Sequence, residues 1–101
     1  TWEPEQIAEA EYLCKLTTAQ ALQLAIGNEK APLHHVFEQI GGEENFQVFI
    51  VYFCEEKARR IAGRFSYEFF LADTVAAEKK LLNDGVIDEV YQKVLDRIGI
   101  Q

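Results

Sequence analysis

The sequence predicts an all-α domain, a compact bundle of four to five helices. Apolar residues recur at helical spacing over several stretches, proline and glycine residues stand at the ends of those stretches, and the turns between them are short. The chain has 101 residues, which is enough for one hydrophobic core and too few for two. Residues 1–101 are therefore expected to form a single helical domain.

The first two predicted helices begin at prolines and end at glycines. A helix over about 4–26 follows from Pro4 in its first turn and the stop at Gly27-Asn28. The two β-branched residues Thr17 and Thr18 mark a point where it is open to interruption. The apolar residues that set its period are Ile7, Ala10, Cys14, Ala21 and Ala25. A shorter helix opens at Pro32, carries Leu33, Val36, Phe37 and Ile40 on one face, and ends at Gly41-Gly42.

Residues 46–53 are ambiguous because almost all of them are β-branched or aromatic. An alternative α+β fold would place strands near 46–53 and 64–71. The flanking residues favour a helix throughout 43–63, since acidic residues precede the run and strong helix formers follow it. The pairs Glu55 with Arg59 and Glu56 with Arg60 have the i, i+4 spacing that stabilises helices.

The last third of the chain predicts two more helices. Asp73 is a good N-cap for a helix over about 74–83, and Asn83-Asp84-Gly85 ends it. An amphipathic helix of about thirteen residues follows, with apolar residues from Val86 to Ile98 on one face. Between Gly63 and Asp73 the pattern is compatible with either a continued helix or an extended segment.

Charge and hydropathy narrow the classes of function. The net charge is −7, and residues 1–56 carry ten acids and two bases, which argues against nucleic-acid binding. The longest apolar run, Val48 to Cys54, is far shorter than the roughly 20 residues that cross a bilayer. Cys14 and Cys54 lack the spacing of a metal or redox motif. We expect a cytoplasmic protein that does not enter membranes.

No known catalytic or metal-binding motif is present in the sequence. Ser66 is the only serine, and it lacks the G-x-S-x-G context of a nucleophile elbow; no phosphate-binding loop occurs. His34 and His35 are adjacent, so on a helix they point about 100° apart and cannot chelate one metal together. His34 and Glu38 share a face. We expect no catalytic site, no metal and no cofactor, and hence no enzyme.

Eight of the twelve aromatic residues fall within 25 residues, in what we call the aromatic segment, residues 46–70. A helix over 46–53 would be apolar around nearly its whole circumference, so it would need cover on every side. Completion of that cover by a second molecule predicts an interface formed by the eight rings. These are Phe46, Phe49, Tyr52, Phe53, Phe65, Tyr67, Phe69 and Phe70.

A basic stripe lies within the same segment, with Lys57, Arg60 and Arg64 at i, i+3, i+7 and Arg59 beside them. It is either a charged contact surface for an acidic partner or a phosphate, or a solvated face neutralised by neighbouring acids. The sequence thus favours a non-catalytic interaction or regulatory module that forms homodimers or binds a protein partner through residues 46–70. The alternative is a carrier or sensor of an apolar or tetrapyrrole-like molecule, for which His34 and His35 are the candidate ligands.

Overall fold

A computed structural model of the chain describes residues 1–27, 30 and 32–99, and within these ranges it contains six helices and no strand. The helices are α1 (Pro4–Ile26), α2 (Pro32–Ile40), α3 (Glu43–Arg64), α4 (Tyr67–Ala72), α5 (Thr74–Asn83) and α6 (Val86–Ile98). The all-α prediction is confirmed. The alternative with strands near 46–53 and 64–71 is wrong, because residues 46–53 lie in α3 and residues 64–71 comprise the last residue of α3, two connecting residues and most of α4.

The sixth helix is α4, which the sequence pattern left undecided. Helix α3 runs one residue beyond Gly63 to Arg64, and Phe65 is extended, with φ −129° and ψ 155°. The hydroxyl of Ser66 then accepts a hydrogen bond from the amide of Phe69 at 3.2 Å and caps α4. Asp73 caps α5 in the same way, as predicted, by accepting from the amide of Ala76 at 2.9 Å.

Helix α1 is continuous through Thr17 and Thr18. The Thr17 hydroxyl donates to the carbonyl of Leu13 at 3.1 Å, so this polar group is satisfied inside the helix. The predicted end of the helix agrees with the last helical residue, Ile26. Asn28 and the side chains of Ala21, Ala25, Leu33 and Val36, which belonged to the sequence pattern, lie outside the described part.

Helix α3 is the centre of the bundle, packed against α1, α2 and α6, while α5 pairs with α6 and α4 with α5. The radius of gyration is 13.6 Å, close to the roughly 13 Å expected for a domain of 100 residues. The buried core contains residues from all six helices. Its largest fully buried side chains are Phe49, Phe70, Ile61, Leu81, Val90, Val94, Cys14 and Cys54.

The corner between α2 and α3 brings the aromatic helix back across the bundle. Gly41 and Gly42 have φ of 83° and 127°, a region of backbone conformation that residues other than glycine adopt only with strain. The side-chain amide of Asn45 donates to the carbonyl of Ile40 at 2.9 Å and ties the start of α3 to the end of α2. The direction of α3 relative to α2 is therefore set by this corner as well as by the packing of its aromatic residues.

Candidate functional site

Most rings of the aromatic segment on α3 point into the core. Phe46, Phe49 and Phe53 are at most 8% exposed, and successive ring centroids lie 6.1 and 5.7 Å apart. Tyr91 of α6 meets Phe49 edge to face at 5.5 Å. These three phenylalanines are covered within the single chain. Any role of theirs in a contact between molecules stays a prediction.

The remaining rings of the segment form a second cluster near the N-terminus. Phe70 is buried, Phe65 and Tyr67 are half-buried, and Phe69 is 44% exposed and stacks on Phe65. Trp2 covers this cluster by packing against Tyr67 and Phe70. Its indole also donates a hydrogen bond to the carbonyl of Phe65 at 2.9 Å. The sequence reasoning missed Trp2; an isolated tryptophan just before a helix was the available signal.

Tyr67 joins this cluster to α1. Its hydroxyl donates a hydrogen bond to the carboxylate of Glu9, 58 residues away in sequence. Because that bond holds the phenolic proton, it raises the pKa of Tyr67 above its ordinary value. Tyr67 is thus fixed within the chain, and of the four rings in this cluster only Phe69 is largely open to solvent.

Helix α3 is not covered on every side by the rest of the described chain. Val48 and Val51 are 44% and 42% exposed. Tyr52 is half-buried beneath Arg97 of α6, whose guanidinium carbon lies 3.8 Å from the ring centroid. We call the surface around these residues the α3/α6 face. It consists of Glu44, Gln47, Val48, Val51, Tyr52, Arg97 and Ile98.

Two adjoining depressions make the α3/α6 face continuous. One is lined by Glu44, Gln47, Val48, Val51 and Tyr52, and the other by Ile40, Asn45, Val48 and Ile98. Val48 belongs to both, so the apolar surface extends from α3 to the end of α6. Of the eight rings predicted as an interface, Tyr52 alone is part of this face. The sequence predicted the aromatic segment that contains this face, but it did not predict Val48 and Val51, the exposed valines within it.

The basic stripe is neutralised by acids of the later helices. Lys57 pairs with Glu78 at 2.9 Å, and Arg64 pairs with Asp84 at 2.7 Å. In the same basic stripe, Arg60 Nη1 lies 3.7 Å from Glu89 Oε2. These three cations therefore tie α3 to α5 and α6. Only the fourth, Arg59, bonds to the neighbouring acids of its own helix, Glu55 at 2.7 Å and Glu56 at 3.0 Å.

A cleft lies between α1 and α5, and we call it the α1/α5 cleft. One part, about 230 Å³, is lined by Leu13, Cys14, Leu16, Thr17, Gln20, Phe70, Thr74, Val75 and Glu78. The other part, about 220 Å³, is lined by Thr17, Thr18, Phe49, Phe53, Lys57, Glu78, Leu82 and Ile87. Thr17 and Glu78 border both parts, so the ion pair between Lys57 and Glu78 stands in the middle of a mostly apolar space.

The ion pair in the cleft has one buried and one partly exposed member. The side chain of Lys57 is 7% exposed and that of Glu78 is 31% exposed. The ammonium group also lies 5.7 Å from the centroid of the Phe53 ring, within the range of a cation–π contact. Sequence reasoning assigned Lys57 to a surface stripe. It missed that a glutamate on α5, 21 residues later, would enclose it.

Both cysteines are buried free thiols beside the cleft. Burial raises the pKa of the Cys14 thiol to about 12 and also raises that of Cys54. The Cys54 thiol donates to the hydroxyl of Thr18 at 3.5 Å. Thiols held protonated in this way are poor nucleophiles, so the chemistry of this region is that of hydrogen bonding and packing.

The two histidines are on α2 and are separate from the cleft. His34 and Glu38 share a face, as the spacing indicated, with His34 Nε2 3.0 Å from a Glu38 carboxylate oxygen. Within the described part of the chain, the other ring nitrogen of His34 is buried without a partner, and His35 is exposed. Among the described residues, no three histidine, cysteine or acidic side chains group as metal ligands would.

Comparison with known proteins gives no match to a family model, to a curated protein or to a solved structure. In residues 1–27, 30 and 32–99, no helix combines the length and the apolar character that crossing a membrane requires. The chain presents two surfaces that could contact another molecule, the α3/α6 face and the α1/α5 cleft.

Proposed function

We propose that this chain is a non-catalytic interaction module that self-associates through the α3/α6 face. The observation that carries the proposal is the exposure of Val48 and Val51 on the central helix of the bundle. Both valines lie inside the aromatic segment, and they adjoin Tyr52 and Ile98 in one continuous apolar surface. Such surfaces on globular domains commonly mark protein contacts.

The charges at the two ends of α3 favour a second copy of the same chain as the partner. Glu43 and Glu44 at its start are exposed and form no ion pair within the described residues. Arg59, eleven residues after Val48, is three turns further along the same face, and its side chain is 57% exposed. The exposed face of α3 therefore runs from acidic through apolar to basic.

An antiparallel pair of α3 helices would satisfy this pattern in both copies. Glu44 lies about 11 Å before Val51 along the helix axis and Arg59 lies about 12 Å after it, at 1.5 Å per residue. A twofold axis near Val51 would thus bring Glu44 of each copy towards Arg59 of the other, with the valines and Tyr52 between them. Twofold contacts require this kind of self-complementarity, because each surface meets itself.

The expected association is weak. Each copy buries only the exposed parts of two valines and a half-buried tyrosine, and exposed charge pairs add little. A dissociation constant of about 1 mM, equivalent to a net free energy of about −4 kcal/mol, is therefore the order of magnitude that we expect.

The test is sedimentation velocity of the purified chain from about 10 μM to about 1 mM, well into the expected dissociation range. We expect a monomer at the low end and a rising dimer fraction at the high end. Val51→Glu should remove the dimer, whereas Val75→Glu, on an exposed residue of α5 outside this face, should leave it unchanged. A wild-type chain that remains monomeric throughout this range would contradict the proposal.

Charge exchange tests the antiparallel arrangement separately. Glu44→Arg and Arg59→Glu should each weaken the dimer because each places like charges together, and the double variant should restore it. Arg59 also bonds to Glu55 and Glu56, so the thermal stability of each variant is measured alongside. A double variant that associates no better than the two single ones would rule out this arrangement.

A further inference from the structure

The α1/α5 cleft holds a polar arrangement that self-association does not use. Lys57 is buried at its centre and has three N–H donors, of which one bonds to Glu78. Thr18 borders the same part of the cleft, and its hydroxyl oxygen already accepts from Cys54. Within the described residues the Thr18 hydroxyl contacts no acceptor other than that sulfur, which is a weak one. Two buried donors therefore face the same apolar space.

An anion is the partner that this arrangement favours. The Lys57 side chain is only 7% exposed, so its ammonium group has lost part of its hydration, and a second acceptor would compensate for more of that loss. Glu78 is 31% exposed and retains contact with water, so it gains less from a second cation. The more deeply buried charge, that of Lys57, thus makes the cleft prefer an anion, even though the chain as a whole is acidic.

The shape of the cleft favours a narrow, extended ligand. Each part, at about 230 and 220 Å³, is smaller than the roughly 300 Å³ at which ordinary ligand pockets begin. A ligand that fills both parts has to pass the shared residues Thr17 and Glu78. A linear chain meets that requirement, whereas a broad, rigid ring system such as a tetrapyrrole does not.

We infer that the α1/α5 cleft binds a single-chain apolar carboxylate, with its head group between the Lys57 ammonium and the Thr18 hydroxyl. Its chain lies along Phe49, Phe53 and the leucines of the cleft walls. Glu78 competes with the ligand head for Lys57 and turns towards solvent when the ligand is bound. This site is independent of the α3/α6 face, so either proposal can fail without the other.

Titration calorimetry of the full chain with three probes tests the inference, with the two ionic probes kept below the concentration at which they form micelles and the alcohol kept below its solubility limit. We expect one dodecanoate to bind per chain. Dodecan-1-ol, which lacks the charge, should bind about tenfold or more weakly, as the loss of a charge-assisted hydrogen bond implies. Dodecylammonium should be the weakest. Absence of dodecanoate binding, or equal binding of the alcohol, would overturn the inference.

Variants of the ion pair test which charge binds the head group. Lys57→Met should weaken dodecanoate binding about tenfold or more and weaken the binding of dodecan-1-ol much less, because the uncharged head loses only a bond to a neutral acceptor. Glu78→Gln should strengthen dodecanoate binding because it removes the competing carboxylate. If Glu78→Gln instead weakens dodecanoate binding, or if dodecylammonium is the tightest probe for the wild-type chain, Lys57 is not the head-group contact.

Two further variants keep the test interpretable if Lys57→Met fails to fold. Thr18→Val removes the second donor with little change of volume, and it should reduce dodecanoate affinity while sparing the alcohol. Lys79→Met, on an exposed residue of α5, serves as the matched control and should change neither. Helix content by circular dichroism is checked for each variant; if Lys57→Met does not fold, Glu78→Gln and Thr18→Val decide the result.

Discussion

The first and second halves of helix α3 pack against the same bundle through different interactions. In residues 43–54, the stacked rings of Phe46, Phe49 and Phe53 meet Tyr91 and the apolar side of α1. In residues 55–64, cations reach across to acids on α5 and α6. The first half is held by burial of apolar area, and the second by a few buried apolar residues together with a row of ion pairs.

This difference indicates which surfaces of the chain remain available for contact with another molecule. Apolar packing saturates when the core is filled, and Val48 and Val51 of α3 are left partly exposed by the described residues. Ion pairs instead leave polar groups at the edge of apolar space, as Lys57 and Glu78 do in the cleft. The two proposed sites thus arise from the two kinds of packing, one from each half of α3.

The largest expected effect tests the apolar half. Phe49→Ala removes a ring that is 1% exposed, and it should lower the free energy of unfolding by about 3 to 5 kcal/mol through lost burial and a cavity. Val51→Ala, two residues away and 42% exposed, should lower it by less than about 1 kcal/mol. Urea unfolding of both variants measures the difference. Equal losses would show that the outer face of α3 is also buried.

An effect of intermediate size on stability is expected at Cys14 of α1, which lies where the two halves of α3 meet. Its pKa is raised by burial from 9.0 to about 12, so the unfolded chain releases this proton at a lower pH than the folded chain does. The contribution to stability is fully present below pH 9 and is lost as pH rises towards about 12.

In Cys14→Ala this alkaline loss should be shallower, by up to about 1.4 kcal/mol per pH unit above the unfolded pKa. The measurement is urea unfolding of both proteins from pH 7 to about pH 11. Near pH 7 the pH dependence of the two should be the same. Parallel curves over the alkaline range would mean that the thiol is not buried as described.

The smallest effect tests the charged half. The pair between Arg64 and Asp84 has side chains that are 42% and 39% exposed, so Arg64→Gln should cost only about 0.5 kcal/mol in low salt and less in 1 M NaCl. Arg64→Lys keeps the charge and serves as the control. A loss that persists in high salt would point to packing of the arginine stem as its cause.

Most of the local structure was predictable because it depends on local signals. Proline starts, glycine turns and the Asp73 cap act within a few residues of themselves, and the boundaries they predicted for α1, α2, α5 and α6 agree with the structure. Helix α4 was left undecided because its cap, Ser66, follows an extended residue rather than a glycine. The ring-rich start of α3 was predicted as helix from its flanks.

The candidate sites were less predictable because they join residues far apart in the sequence. Glu78 approaches Lys57 only when α5 packs over α3, and Arg97 reaches Tyr52 only from α6. Nothing in the spacing of the basic stripe distinguishes Lys57, which becomes buried, from Arg59, which remains exposed. The sequence indicated a row of cations, but it did not indicate which acids would pair with them.

By itself the sequence determined the helices, the acidic balance and the concentration of aromatic residues between 46 and 70, since each is a property of neighbouring residues. Tertiary structure alone decided which side of α3 is covered and which cations are enclosed. Burial depends on where the other helices lie, and an apolar helix has several sides on which they can pack. That choice left Val48 and Val51 in solvent and placed Lys57 inside a cleft.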